Sequence, residues 1–367
     1  MRIGVDAREL QGRPTGVGRY LRSLLRAWPA GEKDALILYF NGPAPHDAVL
    51  REERIAVRAL GDRPVRGLWW QERRLPADAR RDALDVFFAP AYVCPLALDL
   101  PRVTTIHDLS FFSFPSDFAL LDGLRRRALT GMSLTASSRV VAVSDFTRRE
   151  ILAQRPDVAS RVDVIPHGAD DALPPAPSRT EARERLGVDG ALLLSVGSIL
   201  NRRRLPALLQ AVALLGRSHP AALLDVVGEN RTHPLLDLDA TVSRLKIGGR
   251  IRFSGFVSDE ALATRYAAAD VAVYLSEYEG FGLPALEAMA RGIPVVTSRR
   301  PATGEIFGEA ALTVDPADAT EIAGALGRLL GDPGLRARLV ARGRALAARH
   351  TWAEAAARTR NALAAAR

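Results

Sequence analysis

Short apolar runs with strand character alternate with amphipathic helical stretches along nearly all of the 367 residues. That alternation commits a chain to parallel sheets covered by helices on both faces. In the first half the strands are expected at Ile3–Asp6, Ala35–Phe40, Val86–Ala89, Arg102–His107, Val140–Ser144 and Val162–Pro166. The proline-rich stretch from Asp170 to Ser178 interrupts the pattern as a linker does. Beyond it strands are expected at Leu192–Gly197, Leu223–Gly228, Ile251–Gly255, Val271–Ser276, Pro294–Ser298 and Ala311–Val314. The expected class is therefore α/β, with two Rossmann-like, doubly wound domains over residues 1–169 and 181–350, a linker over 170–180 and a helical tail. In such sheets ligands bind beyond the carboxyl ends of the strands, so polar residues immediately after a strand are the site candidates.

Composition narrows the function. Hydrophobic residues make up 48% and charged residues 25%, as in a globular protein of two ordinary domains. No apolar run approaches the ~18 residues of a spanning helix, and the chain opens directly on a strand with no secretory signal, so a cytoplasmic protein is expected. Cys94 is the sole cysteine, which excludes an internal disulfide or a cysteine-zinc cluster and leaves a small buried hydrophobe. Lys33 and Lys246 are the only lysines, so nearly all of the positive charge behind the net +8 is arginine, whose fork pairs well with phosphate. Arginines cluster from Arg63 to Arg81, around Trp69 and Trp70, and at Arg125, Arg126 and Arg127. Each cluster reads either as a solvated helix face or as a peripheral contact with an anionic membrane or a lipid-linked diphosphate. Nucleic acid is not expected, because no recognised motif accompanies the charge.

From Glu277 to Val296 the chain joins a polar, glycine-bearing loop to a helix start and then to a buried strand. Gly280 and Gly282 precede Pro284, a residue suited to a first helical turn, so a helix is expected to start near Leu283. Its first amides lack intrahelical partners and carry the positive end of the helix dipole, which makes Gly280, Phe281, Gly282 and Leu283 a candidate phosphate seat. Glu287, in the helix, could accept hydrogen bonds from the two hydroxyls of a ribose, and Glu279, before the glycines, could address a sugar beyond the phosphates. Alternatively Glu279 is a solvated loop charge and Glu287 only complements the dipole. Asp237 and Asp239 have metal-ligand spacing but no closely preceding strand, and are read as a solvated turn; no metal site is expected.

The segment from Glu279 to Val296 resembles the Glu-x7-Glu signature of retaining glycosyltransferases of the GT-B fold, family 4. Ser144-Asp145-Phe146-Thr147 and Val164-Ile165-Pro166-His167-Gly168 also match that family, the latter with His167 where asparagine is commoner. The resemblance implies two domains facing a central cleft, a final helix (351–367) crossing back to the first domain, and hexose transfer from a nucleoside-diphosphate sugar without metal or other cofactor. It implies that Gly16 and Gly18, in a glycine loop before a helix expected from Tyr20 to Trp28, lie near the donor diphosphate. It implies further that His107 faces the donor sugar, with Asp108 orienting it or capping the next segment, and that Val257 meets the nucleobase. Arg202 and Arg203 match the family's diphosphate-clamping arginine and lysine, and Arg204 stands where the family has asparagine. The stretch from Thr105 to Ser110 is similar to bacterial mannosyltransferases, which implies GDP-mannose as the donor, with a UDP-sugar second, and a glycan, glycolipid or lipid-linked acceptor. A sugar-nucleotide 2-epimerase and a non-catalytic sugar-nucleotide binder are the alternatives.

Overall fold

The structure is a computed structural model that describes residues 1–12, 16–30, 33–61, 65, 67–169 and 174–367. The first four linker residues, Asp170 to Leu173, together with Arg63 and Arg66 of the first arginine cluster, lie outside the described residues. Residue contacts divide the chain into two compact units. The first comprises Met1–Phe112, Leu121–Gly168 and Thr351–Arg367; the second comprises Ser113–Leu120 and Ala169–His350.

The first unit holds a seven-stranded sheet: β1 Arg2–Asp6, β2 Ala35–Phe40, β3 Ile55–Ala59, β4 Val86–Ala89, β5 Arg102–Ile106, β6 Arg139–Ala142 and β7 Val162–Val164, in the order β3-β2-β1-β4-β5-β6-β7. All of its pairings are parallel. The strand β3 was not expected from the sequence. Its residues Ile-Ala-Val-Arg-Ala are a short run broken by Arg58 and only partly buried at the sheet edge, and they become a strand by pairing from Leu36↔Ile55 to Phe40↔Ala59.

The second unit holds β8 Leu192–Val196, β9 Leu223–Val227, β10 Ile251–Gly255, β11 Val271–Tyr274, β12 Val295–Ser298 and β13 Leu312–Val314, also parallel, in the order β10-β9-β8-β11-β12-β13. In both sheets the direction of winding reverses beside the first strand, between β1 and β4 and between β8 and β11. That reversal opens a crevice beyond the strand ends, where ligands of doubly wound folds bind. Central strands such as β11 are buried throughout, which is why they read as continuous apolar runs rather than alternating ones.

Two segments outside the sheets differ from expectation. The first helix spans Gly16–Arg26, so it begins four residues before Tyr20 and incorporates both glycines in its first turns. Buried Tyr20, Leu21, Leu24 and Leu25 supply the packing that outweighs the poor helix propensity of glycine. Asp237 is not a free turn residue but the N-cap of the helix Leu238–Leu245, its carboxylate accepting the Ala240 amide at 2.8 Å.

Candidate functional site

In the second unit two loops lead from the adjacent strands β8 and β11. After β8 the chain makes a short turn, Asn201–Arg203, and Arg204 then adopts a left-handed conformation (φ 50°, ψ 34°) before the helix Leu205–Leu215. Asparagine tolerates that conformation better than most residues, a physical reason for it to be common at this position. Here Arg204 donates instead to Glu277 at 2.8 Å, and the Glu277 amide donates to the Arg202 carbonyl at 2.8 Å. The arginine loop and the carboxylate loop are thereby tied together.

Arg203 turns inward over the strand ends. Its Nε donates to Glu279 Oε1 at 3.2 Å, its Nη2 to the Tyr274 hydroxyl at 3.1 Å and its Nη1 to the Val196 carbonyl at 3.4 Å, with the guanidinium 4.9 Å above the Tyr274 ring centroid. Gly197 (φ +123°) makes room for it, since a Cβ there would lie 1.9 Å from Arg203 Nη1. Burial, the largest effect, pushes the Tyr274 hydroxyl well above its ordinary range, with Arg203 opposing and Glu279 adding to the rise. The hydroxyl therefore stays protonated and donates to Glu279. Glu279 is itself buried, so the sequence alternative of a solvated loop charge does not hold.

The helix expected near Leu283 spans Leu283–Ala290. The Ala285 amide already bonds to the Gly282 carbonyl, Pro284 has no amide hydrogen, and the amides of Gly282 and Leu283 take no acceptor from the described residues. Gly282 (φ +100°) is required for more than access to these amides. A Cβ there would lie 2.9 Å from Phe307 Cε2 and 3.1 Å from Tyr274 Cε1. Gly280 and Phe281 are buried just upstream, and the Phe281 ring lies edge-on to His350.

Glu287 is fully buried, and its Oε2 accepts the Tyr266 hydroxyl at 3.1 Å, while Arg291 stacks over the Tyr266 ring at 5.2 Å. Val257 is half-buried between β10 and the helix Asp259–Ala268, whose N-cap is Ser258.

Sequence reasoning passed over the residues that hold these loops in place. Glu277 also accepts from Arg300 Nε at 2.6 Å, and Arg300 reaches Asp315 at 3.1 Å. Burial alone would raise the Glu277 carboxyl, but hydrogen bonds from Arg300 and Arg204 and their charges hold it below its usual range. Fully buried Ser276 donates through Oγ to the Tyr278 carbonyl at 3.0 Å and accepts the Tyr278 amide at 3.4 Å, while its own amide donates to Ser298 Oγ at 2.7 Å. Thr303 Oγ1 donates to the Ser298 carbonyl at 2.6 Å. The available signal was positional: Ser276 and Ser298 are polar residues at strand ends, as several of the candidate residues are.

In the first unit His107 follows β5 and is buried. Its Nε2 donates to the Pro90 carbonyl at 2.8 Å, which leaves Nδ1 as the basic nitrogen. Tyr20 lies edge-on at 4.8 Å, His167 at 5.5 Å and Tyr92 at 5.7 Å. Trp352, from the final helix Trp352–Ala365, stacks on His167 at 5.8 Å. Burial depresses the His107 pKa more than Pro90 and Asp108 raise it, so the ring is neutral at pH 7. The Asp108 carboxylate takes the Ser110 amide at 2.8 Å and the Tyr92 hydroxyl at 3.2 Å. The Pro90 carbonyl is thus the group bonded to the imidazole, and Asp108 caps the next segment. Gly18 is buried and Gly16 exposed, both in the first turns of their helix. Cys94 is free and buried.

Residues 178–346 match the family described as Glycosyl transferases group 1, and residues 14–173 match Glycosyltransferase Family 4. Over 371 residues the chain is 30% identical to O-antigen chain mannosyltransferase B of Escherichia coli, covering 95% of each protein. The chain belongs to glycosyltransferase family 4. Solved structures place this family 4 glycosyltransferase in the GT-B fold. Sucrose-phosphate synthase from Thermosynechococcus elongatus superimposes with a TM-score of 0.80 at 22% identity over 98% of both chains. Anabaena HepE in complex with UDP-glucose gives 0.77 at 20% identity over 99% of both. The glycosyltransferase is an enzyme of the transferase class, and the arginine and carboxylate loops described above flank the winding reversal of its second sheet.

Proposed function

We propose that this glycosyltransferase moves a hexose, mannose foremost, from a nucleoside-diphosphate sugar to a hydroxyl of a glycan, glycolipid or lipid-linked acceptor, with retention of anomeric configuration and without a metal. One observation carries the reading. Two helix-terminal amides with no acceptor among the described residues, at Gly282 and Leu283, lie in the loop that also brings Glu279 to Arg203. That is the equipment for a leaving diphosphate: N–H donors at the positive end of a helix, with guanidinium charge supplied from the neighbouring strand. The relative named as a mannosyltransferase supports mannose as the sugar moved, with GDP-mannose the donor that family resemblance implies, and the HepE complex keeps a UDP-sugar as the second choice.

In the proposed reaction the bond between the sugar anomeric carbon and the diphosphate oxygen breaks. A bond from the acceptor oxygen forms on the same face, and the acceptor proton passes to an oxygen of the departing diphosphate. Arg202, Arg203 and the amides of Gly282 and Leu283 stabilise the developing charge. Gly280 and Phe281 shape the seat, Glu279 positions the sugar and Val257 contacts the base. Glu287 holds the ribose by exchanging its hydrogen bond with Tyr266, because no part of it is exposed without such a change. Gly16, Gly18 and His107 keep the donor roles that family resemblance gives them.

Calorimetry with GDP-mannose, GDP, UDP-glucose and UDP on the wild type, Glu279→Gln and Glu287→Gln, together with transfer assays, tests the reading. Glutamine at 287 still offers Tyr266 an acceptor, so its effect reports the ribose. It should weaken nucleotide binding by about tenfold or more, as expected for a lost charged hydrogen bond. Glu279→Gln should leave nucleotide binding intact and lower turnover. Equal binding and equal turnover in all three proteins would refute the assignment.

A further inference from the structure

The helix Leu283–Ala290 begins at the phosphate seat and ends on a second cavity. With the C-terminal ends of the helices Asp259–Ala268 and Pro333–Ala347 it borders an open space of about 770 Å³, all of it within the second unit. That volume is one that small-molecule sites occupy. Arg179, Arg291 and Arg344 line the space, and no carboxylate does so among the described residues. Three helix ends explain part of this charge, because their last carbonyls carry a partial negative charge that cations complement. Arg291 Nη1 donates to the Glu287 carbonyl at 3.3 Å, and Arg179 donates to the Ala269 carbonyl at 2.8 Å and to Asp270 at 2.6 Å.

Helix ends do not explain Arg344. Its exposed side chain donates to no acceptor and pairs with no carboxylate among the described residues, yet its guanidinium is laid on the backbone of Gly292. A Cβ at Gly292, whose φ is +73°, would lie 2.7 Å from Arg344 Nε and 2.8 Å from Cζ. Gly292 follows Arg291 directly, so the two arginines border one stretch of the wall. Beside them the lining is apolar, with Ile293 and several alanines. A guanidinium fork matches phosphate oxygens in geometry and charge. Two of them next to an apolar wall suit a small organic phosphate, its phosphoryl group on the forks and its body against the alanines.

We propose that this cavity binds a small organic phosphate through Arg344 and Arg291, and that its occupation raises the affinity for the donor nucleotide; the second half rests on the proposed role of Glu287 as ribose acceptor. Tyr266 lines the cavity and links the two places. Arg291 stacks over its ring at 5.2 Å, and its hydroxyl donates to Glu287 Oε2 at 3.1 Å. A cation held over the ring fixes it in place and draws electron density from the phenol, which favours the bond to Glu287. A phosphate that draws Arg291 off the ring loosens that bond. The same hydroxyl lies 3.3 Å from the Pro284 carbonyl, an acceptor to which it can pass. Glu287 is then released to meet the ribose, so the coupling between the two ligands is positive.

Calorimetry of the full chain with mannose 6-phosphate, and separately with inorganic phosphate, at an ionic strength matched with chloride, tests the proposal. Arg344→Gln should bind these probes about tenfold or more weakly than wild type, as for a lost charged hydrogen bond, and Arg344→Lys, which keeps the charge, should recover part of the binding. Saturating mannose 6-phosphate should raise the affinity of wild type for GDP or UDP by about fivefold. Arg291→Gln should show the higher nucleotide affinity from the start and gain nothing from the probe. A phosphate competing at the donor seat would lower nucleotide affinity, the opposite sign. The proposal is overturned if wild type binds neither probe more tightly than Arg344→Gln does, or if the probe leaves nucleotide affinity unchanged or lowers it. A failed donor assignment reads differently, since Glu287→Gln would then keep wild-type nucleotide affinity while probe binding that depends on Arg344 persisted and still supported the site.

Discussion

Replacing Gly282 by alanine tests whether the backbone at the helix start, rather than open space for an anion, is what requires glycine. The native φ of +100° is one that residues with a Cβ adopt at a penalty of about 1–2 kcal/mol. The new methyl would sit 2.9 and 3.1 Å from two atoms of the Phe307 ring and 3.1 Å from the Tyr274 ring, inside the ~3.5–4.0 Å optimum for carbon atoms. Both rings are buried, Phe307 at 1% and Tyr274 at 4% exposure, so neither can step aside into solvent. Overpacking of this kind costs about 1–3 kcal/mol. Together the two effects predict a loss of about 2–5 kcal/mol, a large part of the ~5–15 kcal/mol that holds a typical domain.

The assay follows from where the tryptophans lie. All four, Trp28, Trp69, Trp70 and Trp352, belong to the first unit, so their fluorescence reports that unit, while far-UV circular dichroism follows both. In urea, Gly282→Ala should lower the midpoint of the dichroism transition of the second unit by on the order of 1–2 M and leave the tryptophan transition in place. Gly304→Ala is the control. It lies within the helix Pro301–Phe307 with no atom within 4 Å of a built Cβ, and it should gain about 0.5–1 kcal/mol from helix propensity. A Gly282→Ala protein within about 0.5 kcal/mol of wild type would refute the steric argument. If such a protein were stable but bound nucleotide poorly, glycine would be serving the ligand alone.

Two further predictions concern pH. The Glu277 carboxyl is held below its ordinary value of 4.5, so its stabilisation is present above that value and is lost as pH falls through the folded one. Glu277→Gln should accordingly lower second-unit stability near neutrality and flatten the acid limb of the stability profile, and an unchanged acid limb would contradict the network described. His107 is depressed below 6.5 by burial, so the unfolded chain takes up the proton first and first-unit stability should fall as pH drops below that value. His107→Gln should reduce this slope between about pH 5 and 7, followed by tryptophan fluorescence, and a slope identical to wild type would show that His107 is not the titrating group.

The expected fold class rested on local periodicity, and periodicity is a property of neighbouring residues that survives in the chain before it folds. The runs around Val271 and Leu192 read as buried strands because β8 and β11 are covered on both faces. β3 escaped notice because Ile55–Ala59 lies at an edge and owes its strand character to β2. The candidate residues were legible as polar groups in the loops after strands, His107 directly after β5 and Arg202 and Glu279 a few residues after β8 and β11. Glu277, Ser276 and Ser298 were not, because a loop-supporting role depends on partners distant in sequence, such as Arg300 for Glu277.

By its own pattern, then, the chain specified alternating strands and helices, a helix start after Gly282 and the loops that carry charge. Tertiary structure decided which of those loops meet. Strand order is a nonlocal outcome of crossover packing, and it sets β8 beside β11 although β9 and β10 intervene in the chain, bringing Arg203 to Glu279. Tertiary packing also turned Gly282 into a steric requirement of two distant rings. No local pattern contains such contacts, since their energy exists only once both partners are in place.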